Sequence, residues 1–391
     1  MARVAAVRAD MDIAGLAAVC ITGPEDIYYL TGLNHQGYFA FTMLVLPLTG
    51  VPVIVARQME ATTLSVQVPW CLHCGYRDYE DPAAAAIAAL EAVLSAPGGS
   101  GGVPPGLDAA STAARLGVNQ ASMWLPIGVW ERVTAGLPQA HWEDTSDLIA
   151  RHRAVKSDAE IACVRRAAAI SSAAMLAGVD AVRVGVNARD IASAVYSTMV
   201  GQGSDYPSMA PFIRFRDALL QEHVTWPDRK VVPGDGVFFE LSASVERYHA
   251  PLTRMAYVGE PPDGTEVAAR IVADALDTVT AALVPGARSC DVYAAWQEVV
   301  NSGLGHDRYR RHHCGYQIGI GFPPSWVGGP AVVGLRADST WLVQAGMTFH
   351  ILSWLLDQEP ADYVLSDTVL VTPKGGQLLT TVARDPIVVP S

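Results

Sequence analysis

The stretch from Gly234 to Arg254 constrains the fold more than any other. Gly234-Asp235-Gly236 reads as a turn, Val237 to Leu241 as a buried strand, and Tyr248 to Arg254 as part of a return strand. Every residue from Val237 to Leu241 is apolar or aromatic except Glu240, so one carboxyl group is set among side chains that exclude charge. Such an acid has two readings: a structural one, paired with Arg254 or Arg247, and a functional one, in which it faces a site.

The flanking chain supplies the layers that a hairpin of this kind needs. Ser157-Asp158-Ala159-Glu160 has the form of a capping box and starts a helix expected to run through Val182, so a domain begins near Arg151 to Lys156. Further helices are expected over Asn187 to Val200, Thr265 to Leu283 and Cys290 to Val300, and strands over Val237 to Ser242, Tyr248 to Val258, Gly315 to Gly319, Met347 to Ile351 and Thr368 to Thr372. This half is α+β, with helices against a largely antiparallel sheet. Before it, Ala14 to Ala18 leads into Val19-Cys20-Ile21, and Thr42 to Pro47 with Val51 to Val55 forms a hairpin around Leu48-Thr49-Gly50. Asp26 to Leu33 lies between them, followed by the polar and aromatic loop Asn34 to Tyr38, which reads either as plain surface or as a site lining. An alanine-rich helix, Pro82 to Leu94, precedes Ser95 to Gly102, whose composition is that of a surface loop. The division is therefore 1–152 and 153–391, a smaller α/β domain ahead of the α+β domain.

With 391 residues, half of them hydrophobic, the chain buries a sizeable core. A net charge of −12 argues against nucleic acid and anionic membrane as partners and favours a small cationic molecule. No basic segment leads into an apolar run at the N-terminus, and nothing resembles a span of eighteen or more apolar residues, so a cytoplasmic protein is expected. Of six scattered cysteines only Cys71 and Cys74 have metal or redox spacing, and without a second pair they read as reduced structural thiols.

The order of elements from Ser157, and the hairpin running from Gly234-Asp235 to Thr253-Arg254, resemble the creatinase/aminopeptidase family, the pita-bread fold shared by prolidase and methionine aminopeptidase. Tyr29-Leu30-Thr31-Gly32 is similar to the smaller domain of prolidases and creatinases, so the resemblance spans the chain. Peptidases of this family hold two divalent metals with two Asp, one His and two Glu. The matching positions here are Glu240, Pro251, Tyr316, Leu352 and Ser366, which leaves one strong ligand. Two hard cations need several carboxylates, so no metal and no other cofactor is expected.

Creatinase shares the fold and works without metal, but its two substrate-binding carboxylates fall on Thr253 and Leu352 here. The pattern of bacterial ectoine hydrolases is more similar. It matches at Asp205-Tyr206-Pro207, His223-Val224-Thr225-Trp226, Phe238-Phe239-Glu240, Arg247-Tyr248-His249-Ala250-Pro251, Cys314 to Ile320, Phe322 to Trp326 and Gly346 to His350. Met255, the stretch Leu352 to Pro360, and Asp367 in place of a Glu depart from it.

The resemblance implies a metal-independent hydrolase of a non-peptide C–N bond in an amidine-like molecule, acting as a homodimer in which a partner's small domain reaches toward the site. Glu240 then pairs with the cation and acts as nucleophile or as general base. His223, at creatinase's spacing of eleven residues before Gly234, carries the proton. Substrate-binding candidates are Tyr206, Tyr248, His249, Tyr316, Trp326, His350 and Asp367. Each has a bland alternative: a satisfied core histidine, packing filler, or a loop cap. At the level of function two other readings stand: an enzyme of specialised metabolism with another substrate, and a non-catalytic binding protein on the same fold.

Overall fold

The structure is a computed structural model and describes residues 2–95, 114–328 and 333–391. The chain divides into two compact units, with the boundary between Arg153 and Ala154.

The N-terminal unit is a six-stranded sheet in the order Leu72–Tyr76, Val53–Arg57, Met43–Pro47, Ala18–Ile21, Arg115–Val118, His141–Asp144. The expected hairpin is present, with Met43 opposite Val55 and Val45 opposite Val53. Ala18–Ile21 is buried along its whole length, as a central strand covered on both faces must be. The helix Pro24–Thr31 starts with Pro24, Glu25 and Asp26 in its first turn and stops at Gly32, whose φ of 83° a residue with a side chain adopts only with strain. Cys71 and Cys74 are free thiols, and burial pushes the Cys71 thiol up to about 12. In the Asn34 to Tyr38 loop, His35 packs edge-on against Tyr38 and faces Glu60 at 3.4 Å. Of the glycine-rich loop expected from Ser95 to Gly102, Ser95 closes the helix Pro82–Ser95 and the rest lies outside the described residues.

The second unit is built on an eight-stranded sheet. Its path runs Gly315–Gln317, Thr348–Leu355, Tyr363–Thr372, Leu252–Val258, Gly236–Leu241, Phe212–Phe215, with Gly375–Leu378 added to Tyr363–Thr372 and Ile387–Val389 to Leu252–Val258. All pairs but the last are antiparallel. The helix Asp158–Asp180 opens with the capping box of Ser157 and Glu160 and packs on Ala188–Gly201, while Thr265–Ala282 packs on Ser289–Leu304. Asp158–Asp180 is the one described helix long and apolar enough to cross a membrane, and half of its apolar window is buried inside the fold. The core takes it up as a packing helix.

Two features differ from the sequence expectation. The return strand is broken at Ala250-Pro251 into Tyr248–His249 and Leu252–Val258, because proline has no N–H to give a ladder. The first piece forms a tight ribbon with Ser244–Val245, turned by Glu246 and Arg247 at φ of 49° and 64°, the twist such a two-residue turn demands. Phe212–Phe215 is a strand at the sheet edge that the sequence reading did not mark.

Candidate active site

The register of the sheet decides which side chains share a face. Phe212, Glu240, Thr253, Ser366 and Leu352 stand opposite one another on successive strands, so their side chains line one face. Two residues along, Tyr316, His350 and Thr368 form the next row on that face. Helices cover the other face: Gly178 approaches the Phe239 ring, and Trp296 Nε1 donates to Ser353 Oγ at 3.1 Å. Alternation thus gathers Glu240, Tyr316 and His350, and turns Arg254 and Asp367 away.

Glu240 is 7 % exposed, and its carboxylate forms no hydrogen bond or ion pair with any described residue. Burial pushes its pKa up to about 7; the Arg214 guanidinium works against that shift, Glu222 adds to it and Arg311 opposes it. Neither arginine considered as its structural partner reaches it. Arg254 pairs with Asp367 at 2.8 Å and donates to the carbonyls of Thr253, Ser366, Val382 and Ala383. Arg247 is enclosed between the rings of Tyr206 and Phe322 and donates to the carbonyls of Tyr206 and Gly321.

Aromatic and imidazole rings stand on the face that carries Glu240. Phe212 lies 6.0 Å from His223 and 6.1 Å from Trp326, centroid to centroid; Tyr316 lies 5.2 Å from His350 and 5.5 Å from His313. Trp326 Nε1 donates to Tyr316 Oη at 3.0 Å, His350 Nδ1 contacts that oxygen at 2.8 Å, and His350 Nε2 contacts Ser366 Oγ at 2.6 Å. Ser366 then donates to Thr253 Oγ1 at 2.7 Å. Burial pulls His350 and His313 down to about 3, so both imidazoles are neutral near pH 7, and it pushes the Tyr316 phenol up.

His223 is exposed, at a φ of 59° on the segment after Leu219. That segment is held from beneath. Arg214, 2 % exposed and stacked over Phe238 at 3.9 Å, donates to the carbonyls of Leu219 and Gln221. A cleft of about 250 Å³ opens here, lined among others by Glu222, Tyr309, Arg311, His312 and Leu356, with Arg311 facing Glu222 at 3.6 Å.

Of the candidates read from the sequence, Tyr316, His350 and Trp326 form one hydrogen-bonded cluster on the face that carries Glu240, and His223, exposed, stands beside Phe212 at its edge. The others serve the frame. His249 Nδ1 donates to the Arg247 carbonyl, and its Nε2 accepts from the Ser208 amide, which saturates the ring. Tyr248 Oη donates to Glu160, tying the ribbon to the capping box. Tyr206 gives its face to Arg247. Asp367 binds Arg254, Arg384 and Thr380 on the helix-covered face. Nothing local in Phe212-Ile213-Arg214-Phe215 or Arg310-Arg311 signals that the charges of Arg214 and Arg311, with that of Glu222, act through space on an acid elsewhere in the chain.

The chain matches metallopeptidase family M24 over residues 162–373 and the creatinase/prolidase N-terminal domain over residues 3–155. It belongs to the M24 family, with the pita-bread fold behind a creatinase-type N-terminal domain. Ectoine hydrolase of Halomonas elongata is 26 % identical over 97 % of this chain and 94 % of its own length. The uncharacterized hydrolase/peptidase y4tM of Sinorhizobium fredii is 24 % identical over 99 % and 96 %. The solved prolidase of Thermococcus sibiricus superposes with a TM-score of 0.84 at 21 % identity, over 99 % of this chain and 98 % of that one.

The family name implies metal, and the residues present do not fit a dinuclear centre. Among the described residues no group of three or more His, Cys, Asp or Glu side chains is placed to hold an ion. Of the five matching positions, Pro251 and Leu352 offer no side-chain donor, and Tyr316 and Ser366 are bound into the hydrogen-bond chain.

Proposed function

We propose that the protein is a metal-independent hydrolase of a non-peptide C–N bond in a small cationic, amidine-like molecule, with ring opening of ectoine as the model reaction. The observation that carries this reading is the buried carboxyl of Glu240, without a hydrogen bond or ion pair among the described residues, on a sheet face that also carries aromatic and neutral imidazole rings. A carboxyl held near neutrality by burial awaits a cation, and a cation entering between rings gains from both. Its arrival ionises Glu240. The relative bearing the name ectoine hydrolase, aligned along almost the whole chain, supports the same class of substrate.

Ectoine carries a cyclic amidinium whose carbon is already electrophilic. Glu240 takes a proton from water, and the oxygen adds to that carbon. The ring C–N bond then breaks as His223 supplies a proton to the departing amine and takes back the one the adduct hydroxyl gives up on becoming the amide carbonyl; Glu240 passes its proton to the amine, so that an amide and an ammonium group remain and both residues are restored. A base with a pKa near the working pH suits the first step, which favours water activation over attack by the carboxylate itself. The test is to follow ring opening of ectoine and other cyclic amidines by proton NMR with metal-stripped protein. Turnover that survives chelator and disappears in Glu240→Gln is expected. Activity lost with chelator and restored by Mn²⁺ or Co²⁺ overturns the proposal.

A further inference from the structure

The hydrogen-bond chain beside Glu240 has only one direction. Ser366 Oγ gives its single hydrogen to Thr253 Oγ1, so toward His350 it can only accept. His350 therefore carries its hydrogen on Nε2. Its Nδ1, 2.8 Å from Tyr316 Oη, is then the acceptor, and the phenol hydrogen points at the imidazole. Trp326 Nε1, which can only donate, fills one lone pair of the same oxygen. One lone pair of Tyr316 remains, on the face of the sheet shared with Glu240.

We infer that Tyr316 is a fixed hydrogen-bond acceptor that recognises a substrate N–H, its polarity set through His350 by Ser366 acting as a positioning residue. A tyrosine in such a place would ordinarily serve as a donor to a developing oxyanion, and here that hydrogen is already spent. Two acceptors, the Glu240 carboxylate and the Tyr316 oxygen, thus share one face of the sheet and feel one another's charge, and two N–H groups on one planar cation answer them. This rests on the amidine reading above and sharpens it. The site selects ligands by N–H count, and rejects isosteres of the same ring size that offer only acceptors. The positions matching two of the family's metal ligands, Tyr316 and Ser366, are the two ends between which His350 fixes this polarity.

His249 supplies an internal reference, because its ring holds the opposite tautomer, with hydrogen on Nδ1. The first measurement is the ¹⁵N spectrum of histidine-labelled protein without ligand, in which His350 is recognised by its change in Ser366→Ala. A neutral Nε2–H ring for His350 beside a neutral Nδ1–H ring for His249 is expected. A charged or Nδ1–H ring at His350 near pH 7 overturns the inference. The second measurement is calorimetric binding of a methyl-substituted tetrahydropyrimidinium cation and of an N-methyl lactam of the same ring size. The full-length wild type is expected to prefer the cation. Ser366→Ala, which frees His350 to turn its hydrogen toward Tyr316, is expected to erode that preference about ten-fold or more, the scale of one hydrogen bond to a charged group. A preference unchanged in Ser366→Ala overturns the role of Tyr316. A wild type that binds neither ligand while His350 shows the stated tautomer sinks the amidine reading, and with it N–H recognition, leaving the direction of the chain as a separate result.

Discussion

Replacing Glu240 by glutamine should make the protein more stable, and increasingly so as the pH rises. The carboxyl titrates at about 7 in the fold against 4.5 as an ordinary side chain. Because the folded value is the higher one, the folded state holds the proton more tightly. Below the ordinary value both states are protonated and nothing is lost; through the window between the two values the unfolded state ionises first and stability falls; above about 7 the penalty is complete. The full shift corresponds to roughly 3 kcal/mol, at about 1.4 kcal/mol per unit. Glutamine keeps the shape and has no charge to strand. The difference in stability between Glu240→Gln and wild type should grow by roughly 2–3 kcal/mol between about pH 5 and about pH 8.5, or about 5–10 °C in Tm for a unit of this size. Differential scanning calorimetry of both proteins across that range reads it directly. A difference that stays flat with pH, or grows toward acid, means that the carboxylate has a partner, and refutes the picture of an unpaired acid waiting for a cation.

Three further outcomes test the frame. Asp367→Ala strands Arg254, itself 1 % exposed, and should cost about 3–5 kcal/mol in thermal unfolding with KM unchanged; a raised KM without lost stability would return Asp367 to the substrate. Arg214→Met releases the Leu219 and Gln221 carbonyls and with them the segment bearing His223, and it also removes a cation that holds the Glu240 carboxyl down, so kcat for ring opening should fall about ten-fold or more and the Glu240 carboxyl should titrate higher; unchanged turnover would show that the segment needs no anchor. Gly178→Val drives a Cβ to 2.8 Å from Val195 Cγ2 and 3.1 Å from Phe239 Cε1, and should lower stability by about 1–3 kcal/mol, measured by urea unfolding; no loss would mean that helix and strand separate freely.

What the sequence made legible was what is local and periodic. The capping box of Ser157 and Glu160, the hairpin of Met43 to Val55 and the strand around Glu240 each announce themselves within a few residues, and each stands where the pattern put it. The α+β pita-bread fold and the creatinase-type N-terminal domain were legible through family motifs as well. Face and partner were harder to read. Asp367 and Ser366 are neighbours in sequence, yet one side chain meets Arg254 under the helices and the other meets His350 beside Glu240. That distinction follows only once the register of Leu252–Val258 and Tyr363–Thr372 is known. His249 lies in a motif rich in candidate groups, but its ring is saturated by Ser208, a residue from a distant loop that no spacing rule connects to it. Arg214 is illegible for another reason: a buried arginine on a short edge strand looks, in sequence, like the polar phase of an exposed one.

The close approach at Gly178 has a consequence for altering the range of molecules the protein handles. Phe239 is pinned from behind by a helix whose backbone nearly touches it, and Glu240 is its neighbour in the same fully paired strand. The sheet under the site is thus mechanically stiff, and its carboxyl cannot retreat to admit something larger. The segment from Leu219 to Trp226 lies outside the regular ladder and is more exposed along most of its length. Retargeting by mutation should therefore succeed in that segment, where Arg214 sets the position of the chain, and fail in the sheet, where every displacement must be shared with a helix.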